Sequence, residues 1–214
     1  MPRGDGYVKQ RMMRMSIAKS YLFRLFRFFR TKFDIWNQDY NKWQIKEYLI
    51  SCGVSINDFD SYTIDPTAQI YASSKLRIGR GLDMGECSVI NSNDSYGIYI
   101  GDNLLLASDV YIRGGNHDWS YSEEPFQDRG HCAKKLNYRG EDWSIVIEDN
   151  VWCGHGSTII SGAHIGKGAV IGAGAVVGGV VPPYSVVIGN PFQIVSNRQK
   201  HTGWGDREDI GLFT

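Results

Sequence analysis

One histidine in this chain sits where an imidazole could do chemistry. His117 lies in Asn116-His117-Asp118, inside a polar stretch, residues 113–144, that also holds Trp119, Tyr121, Tyr138 and Trp143. Imidazole titrates near neutrality, so it can take a proton from a hydroxyl and later return one to a leaving group. Asp118, Glu124 or a backbone carbonyl is a candidate to orient the ring. Alone, such a residue reads as a solvated loop histidine, and its setting must supply the role. The four cysteines (Cys52, Cys87, Cys132, Cys153) lack the CxxC spacing of a metal site. No cysteine or serine has an evident activating partner. A base without a protein nucleophile predicts direct transfer in a ternary complex.

The elements that must position His117 are repeats. Ile147, Cys153, Ile159, Ile165, Ile171 and Val177 recur every six residues, and Val151, Ser157, Ala163, Ala169, Ala175 and Val181 follow four places behind them. Neither a helix nor a simple strand has this period. A parallel β-helix does, with one large and one small inward side chain per flat face. Cys153 therefore points inward as a buried thiol. Ile64, Ile70 and Leu76 give an earlier phase, Ile78, Met84 and Ile90 a shifted one, and Ile100, Leu106 and Ile112 restore clean sixes. The predicted class is an all-β solenoid, residues 61–191, with a protruding loop at 113–144. An insertion of about thirty residues in a compact domain is uncommon and usually functional.

Residues 1–55 precede the solenoid. Ile17, Tyr21, Leu22, Leu25, Phe28, Phe29 and Phe33 recur at helical spacing across 9–33, with Phe23 and Phe26 widening the stripe. A second helix is expected at Tyr40–Ser51, capped by Gly53. Charge balances at 23 against 23 over 214 residues, yet residues 9–32 hold eight basic residues and no acid. That helix either packs on its own oligomer or lies on an anionic membrane face. No nucleic-acid module accompanies the charge. No apolar run reaches the ~18 residues of a membrane span, and Arg24 and Arg27 interrupt the one candidate leader segment. A reduced, cytoplasmic setting is expected, with peripheral contact at the membrane through residues 9–33 as an option. Residues 192–214 read as a tail, in a short helix or an extended arm.

Val151-Trp152-Cys153-Gly154, the repeats, Val181-Pro182-Pro183-Tyr184-Ser185 and Gly189-Asn190-Pro191 together resemble the hexapeptide-repeat acyltransferases, close to the galactoside, maltose and polysaccharide O-acetyltransferases. The resemblance implies a left-handed parallel β-helix, a homotrimer, and acetyl-CoA laid in a groove between subunits. It implies His117 as catalytic base, following the Ile100-Gly101-Asp102-Asn103 corner. It places the acyl donor against Trp152, Gly154, His155, Ala173, Gly174 and Gly178, where the glycines could equally be corner-formers alone. Glu86, Asp94, Ser95, Asn116, Trp119 and Trp143 are candidates to hold the acceptor; turn-making or loop packing is the alternative for Asp94, Ser95 and the aromatic residues.

Two departures affect phosphate recognition. Gly178-Gly179-Val180 stands where the family often has Thr-Lys-Asp, and Gln193 where it has Arg. Arg198, Lys200 or Lys167 is then expected to substitute. Some solenoids of this kind are zinc carbonic anhydrases with ligands five residues apart. His155 and His164 are nine apart, so no metal is expected. The expected activity is O-acetylation of a carbohydrate hydroxyl, in a surface polysaccharide or its precursor. N-acylation of an amino sugar nucleotide and a non-catalytic solenoid scaffold are the alternatives.

Overall fold

The computed structural model describes residues 5–56, 58–72, 75–93, 96–118, 120, 123–125, 128 and 131–200. The chain divides into two units, Met1–Trp43 and Gln44–Thr214. One helix, α1, runs from Asp5 to Ser51, where two were expected. The physical reason lies between them: no glycine or proline interrupts residues 7–52, so nothing breaks the backbone ladder. Gly53 stops it at φ 71°, as expected. Its N–H donates to the Ile50 carbonyl and that of Val54 to the Leu49 carbonyl, both at 3.0 Å, which satisfies the last turn. Within the second unit, Leu49 is fully buried and Ile45 packs on the same core.

The rest is a three-faced parallel coil. Face one contains Ser55–Ile56, Leu76–Ile78, Ile98–Ile100, Ile145–Ile147, His164–Ile165 and Val180–Val181. Face two contains Thr63–Ile64, Asp83–Met84, Leu105–Leu106, Trp152–Cys153, Val170–Ile171 and Ser185–Ile188. Face three contains Gln69–Tyr71, Val89–Asn91, Tyr111–Arg113, Thr158–Ile160 and Val176–Val177. Ile147 pairs with Ile165, Cys153 with Ile171 and Ile159 with Val177, so three hexapeptides close one turn. All six lead residues from Ile147 to Val177 are 0 % exposed, and the small residues behind them are buried as well. Burial pushes the Cys153 thiol up to about 12, which leaves it an apolar filler.

The phase slip near residue 76 has a simple cause. Leu76 and Ile78 belong to one strand and both point inward, with Arg77 outward. A shift of two keeps the inward face of a strand, so the core is continuous across the slip. The first parallel strand, Ser55–Ile56, precedes the expected start at Ser61. After Ser185–Ile188 the chain turns back, and Gln193–Asn197 pairs antiparallel with that strand on face two. A 3-10 turn at Arg198–Lys200 follows. Residues 201–214 of the expected tail lie outside the described residues.

The described residues of the insertion between faces three and one form two antiparallel strand pairs. Asn116–His117 pairs antiparallel with His131–Cys132, and Leu136–Tyr138 with Glu141–Trp143. Arg139 and Gly140, both at positive φ (53° and 81°), make the tight turn of the second hairpin. That hairpin covers face one: Trp143, Tyr99 and Val146 form a second buried cluster with Leu136 and Tyr138 against it.

Candidate active site

His117 stands three residues after the chain leaves face three. Gly114 N–H still donates to the Asn91 carbonyl at 3.0 Å, as the last rung of the face. The Arg113 side chain then folds forward. Its Nε donates to the Gly115 carbonyl at 2.7 Å and its guanidinium to the Tyr111 hydroxyl at 3.1 Å. The exit direction is therefore fixed two residues before His117. The Asn116 Oδ1 accepts the His117 N–H at 2.9 Å, and the Cys132 thiol donates to the His117 carbonyl at 3.5 Å. The His117 side chain is exposed. The returning strand is tied down where Lys134 N–H donates to Ser161 Oγ at 2.6 Å. Arg113 was missed from sequence, because an arginine ending a repeat reads as a surface charge.

A second set of expected residues converges at the corner between faces two and three. Gly154 lies directly beneath the next coil: a Cβ there would come within 2.8 Å of the Ala173 nitrogen and 3.0 Å of the Ile171 carbonyl oxygen. Gly154 N–H donates to that carbonyl at 2.7 Å, and Gly174 N–H to the His155 carbonyl at 2.8 Å. Gly156 and Gly174, at φ 65° and 68°, have no heavy atom within 4 Å of a built Cβ, so this edge is open to solvent. The His155 ring is held on the coil below, its Nδ1 2.9 Å from Ser108 Oγ and 3.6 Å from Asp109 Oδ2. Glu86 occupies the same corner two coils below His155, where its carbonyl accepts the Asp109 N–H at 2.8 Å. Trp152 borders the corner on face two, in register with Leu105 and half exposed.

The remaining expected residues lie elsewhere. Gly178 ends the last strand of face three, over Ile160, at the corner from which the His117 segment departs one coil below Ile160. Arg198 sits at the third corner, donating to the Gly168 carbonyl at 2.7 Å, and Lys167 shares that corner. Its guanidinium clamps backbone there, away from Gly154 and Ala173. Trp143 is 2 % exposed, with Lys75 Nζ 3.6 Å from its ring centre and Tyr99 edge-on at 5.5 Å. No ring face remains for a sugar, so of the two alternatives for Trp143 the geometry favours packing. Asp94, Ser95, Trp119 and Tyr121 lie outside the described residues.

His164 points its Nε2 at Glu148 Oε1, 3.0 Å away, beneath the edge of Tyr138. It belongs to face one and His155 to the opposite corner, so the two do not converge. Among the described residues no group of three His, Cys, Asp or Glu side chains could hold a metal ion. None of the described helices is long and apolar enough to cross a membrane.

The arrangement offers an exposed imidazole on one edge of face three and, on the other, an open glycine-rich corner whose N–H groups at Gly154, Gly156, Gly172 and Gly174 already bond within the coil. Such a corner leaves room for a thin flexible chain.

Residues 144–179 match the bacterial transferase hexapeptide family, described as six repeats. A galactoside O-acetyltransferase of Lactococcus lactis is 36 % identical over 101 residues, 46 % of this chain and 49 % of that protein. The chain spans 38–53 % of the length of the curated relatives it matches. A galactoside acetyltransferase solved with coenzyme A superposes with TM-score 0.52 and 24 % identity, over 68 % of this chain and 70 % of that one. A hexapeptide-repeat acetyltransferase of Vibrio cholerae superposes with TM-score 0.54 and 22 % identity, over 75 % and 92 %. Together these likenesses imply a left-handed coil.

Proposed function

Because the chain carries a hexapeptide-repeat transferase domain, we propose that it is an acyl-CoA-dependent O-acetyltransferase acting on a carbohydrate hydroxyl. One observation carries the reading. His117 and the Gly154–Ala173 corner lie on opposite edges of face three. A single subunit therefore offers a base and a backbone cradle that do not adjoin. A trimer solves this by laying the His117 edge of one subunit against the Ala173 edge of the next. The Lactococcus relative, named as a galactoside O-acetyltransferase, supports the acceptor class.

In this site His117 takes the proton of the acceptor hydroxyl as the oxygen attacks the thioester carbonyl. A backbone N–H at the Ala173 corner stabilises the oxyanion of the tetrahedral intermediate. Collapse expels the CoA thiolate, which receives the proton back from His117. Cys153 takes no part, since it is buried and its thiol pKa is raised.

The open corner fits the thin pantetheine arm. The fit is poorer for the CoA phosphates. Among the described residues, this corner carries Glu86 and Asp109 and no lysine or arginine, and Arg198 is engaged at another corner. A cation from the neighbouring subunit would complete it. The reading is tested by thiol release from acetyl-CoA across a panel of sugars, nucleotide amino sugars and lipid-linked oligosaccharides. Turnover with hydroxyl acceptors is expected. Turnover confined to amino sugars would establish the N-acyl alternative, and none with any acceptor would favour the scaffold.

A further inference from the structure

The N-terminal helix carries an aromatic seam that the catalytic reading does not use. Phe26, Phe29, Phe33, Trp36, Tyr40 and Trp43 alternate at spacings of three and four, and each is 41–63 % exposed. The last four rings form a continuous ladder on α1. Phe33 lies 6.0 Å from Trp36, Trp36 stacks on Tyr40 at 5.4 Å with an 11° interplanar angle, and Tyr40 lies 5.9 Å from Trp43. In sequence the same alternation runs upstream through Val8, Met12, Met15 and Leu22, broken only by Lys19. This is a heptad with apolar first and fourth positions, sustained over five repeats, which is the spacing of a helix that winds on another helix.

We propose that α1 associates with the same helix of further copies of this chain, as a parallel in-register coiled coil. The proposal rests on the trimer reading for its strand number and parallel sense. Two features select this occupant over an anionic membrane. Acidic residues accompany the basic ones: Asp39 borders the seam, and Glu47 stands in its line. The six rings, at about 150–250 Å2 each and roughly half exposed, offer on the order of 600 Å2 per copy. That approaches the roughly 800 Å2 per partner of a standard specific interface.

Cysteine cross-linking of the full-length chain tests the seam. In a background with Cys52, Cys87 and Cys132 changed to serine, Phe33→Cys and Tyr40→Cys place thiols in the seam. Thr31→Cys places one on the far side of α1. Mild oxidation should join more than half of the Phe33→Cys and Tyr40→Cys chains into disulfide-linked pairs, and less than a tenth of the Thr31→Cys chains. Equal yields at all three positions would overturn the proposal. So would seam thiols that stay reduced in solution and become shielded from maleimide only by phosphatidylglycerol vesicles. Sedimentation of the parent chain keeps the two readings apart. A trimer with unlinked seam cysteines rejects the coiled coil alone, whereas a linked dimer rejects the trimer and retains the seam.

Discussion

Replacing Gly154 by alanine presses a methyl group into the backbone of the next coil. The new Cβ would stand 2.8 Å from the Ala173 nitrogen and 3.0 Å from the Ile171 oxygen. Neither neighbour is a flexible side-chain tip, so the coil spacing must open locally. Overpacking of this kind costs about 1–3 kcal/mol. For a chain of this size a loss of about 2 kcal/mol lowers Tm by about 4–8 °C. Opening the spacing also displaces Ala173 and weakens the bond from Gly174 N–H to the His155 carbonyl, now 2.8 Å. On the proposed function the KM for acetyl-CoA then rises about tenfold, since small misplacements at a reacting centre are costly. Gly140→Ala, in the hairpin turn away from this corner, is the control. Its Cβ meets nothing within 4 Å, but its φ of +81° costs an alanine about 1–2 kcal/mol. Both variants should melt earlier, and only Gly154→Ala should change KM. Thermal melts with acetyl-CoA titrations at fixed acceptor check this. An unshifted Tm in Gly154→Ala refutes the packing, and equal KM changes in both refute the contact with the acyl donor.

Three further outcomes follow from particular contacts. Ser157 Oγ is buried with no hydrogen-bond partner, so Ser157→Ala should leave the unfolding free energy unchanged or raise it by up to about 1 kcal/mol in a denaturant melt. Arg113→Lys loses the fork that holds the Gly115 carbonyl and the Tyr111 hydroxyl, so kcat should fall severalfold with KM for acetyl-CoA unchanged in initial-rate assays. The Arg80 hydrogen bonds hold the Asp102 carboxyl below its ordinary range, so their stabilisation is present above that range and fades as pH falls through the lowered value. The Tm difference between the parent and Arg80→Ala should therefore be small at about pH 7, since Arg80 is exposed and Asp102 only half-buried, and vanish near pH 2.

The coil was legible because its physical demand is strict: every sixth residue must fill the interior and the fourth after it must be small or β-branched. Ile147 to Val181 satisfy this without exception, and all are buried. The phase slip at Leu76 and Ile78 looked like an irregularity because the sixes were counted along one line, whereas a strand keeps its inward face at every second residue. Less of the insertion could be read. Arg139-Gly140 is a weak turn signal beside Asn-Gly, so the hairpin that buries Trp143 was hidden, and the tryptophan kept two roles open. The division of Gly154, Gly178 and Arg198 among three corners depends on which edge each occupies, and a linear motif does not carry that. Nor did the helical pattern alone reveal that residues 34–39 continue α1; the missing glycine or proline was the available signal.

The central claim is that the His117 imidazole removes the acceptor proton. Rates of thiol release by His117→Ala, measured at saturating acetyl-CoA over a range of pH on protein of parental Tm, test it most directly. The expected result is a kcat lower by about 100- to 10,000-fold and a pH profile that differs from the parent's. A variant that releases CoA at the parental rate with the same pH profile would contradict it.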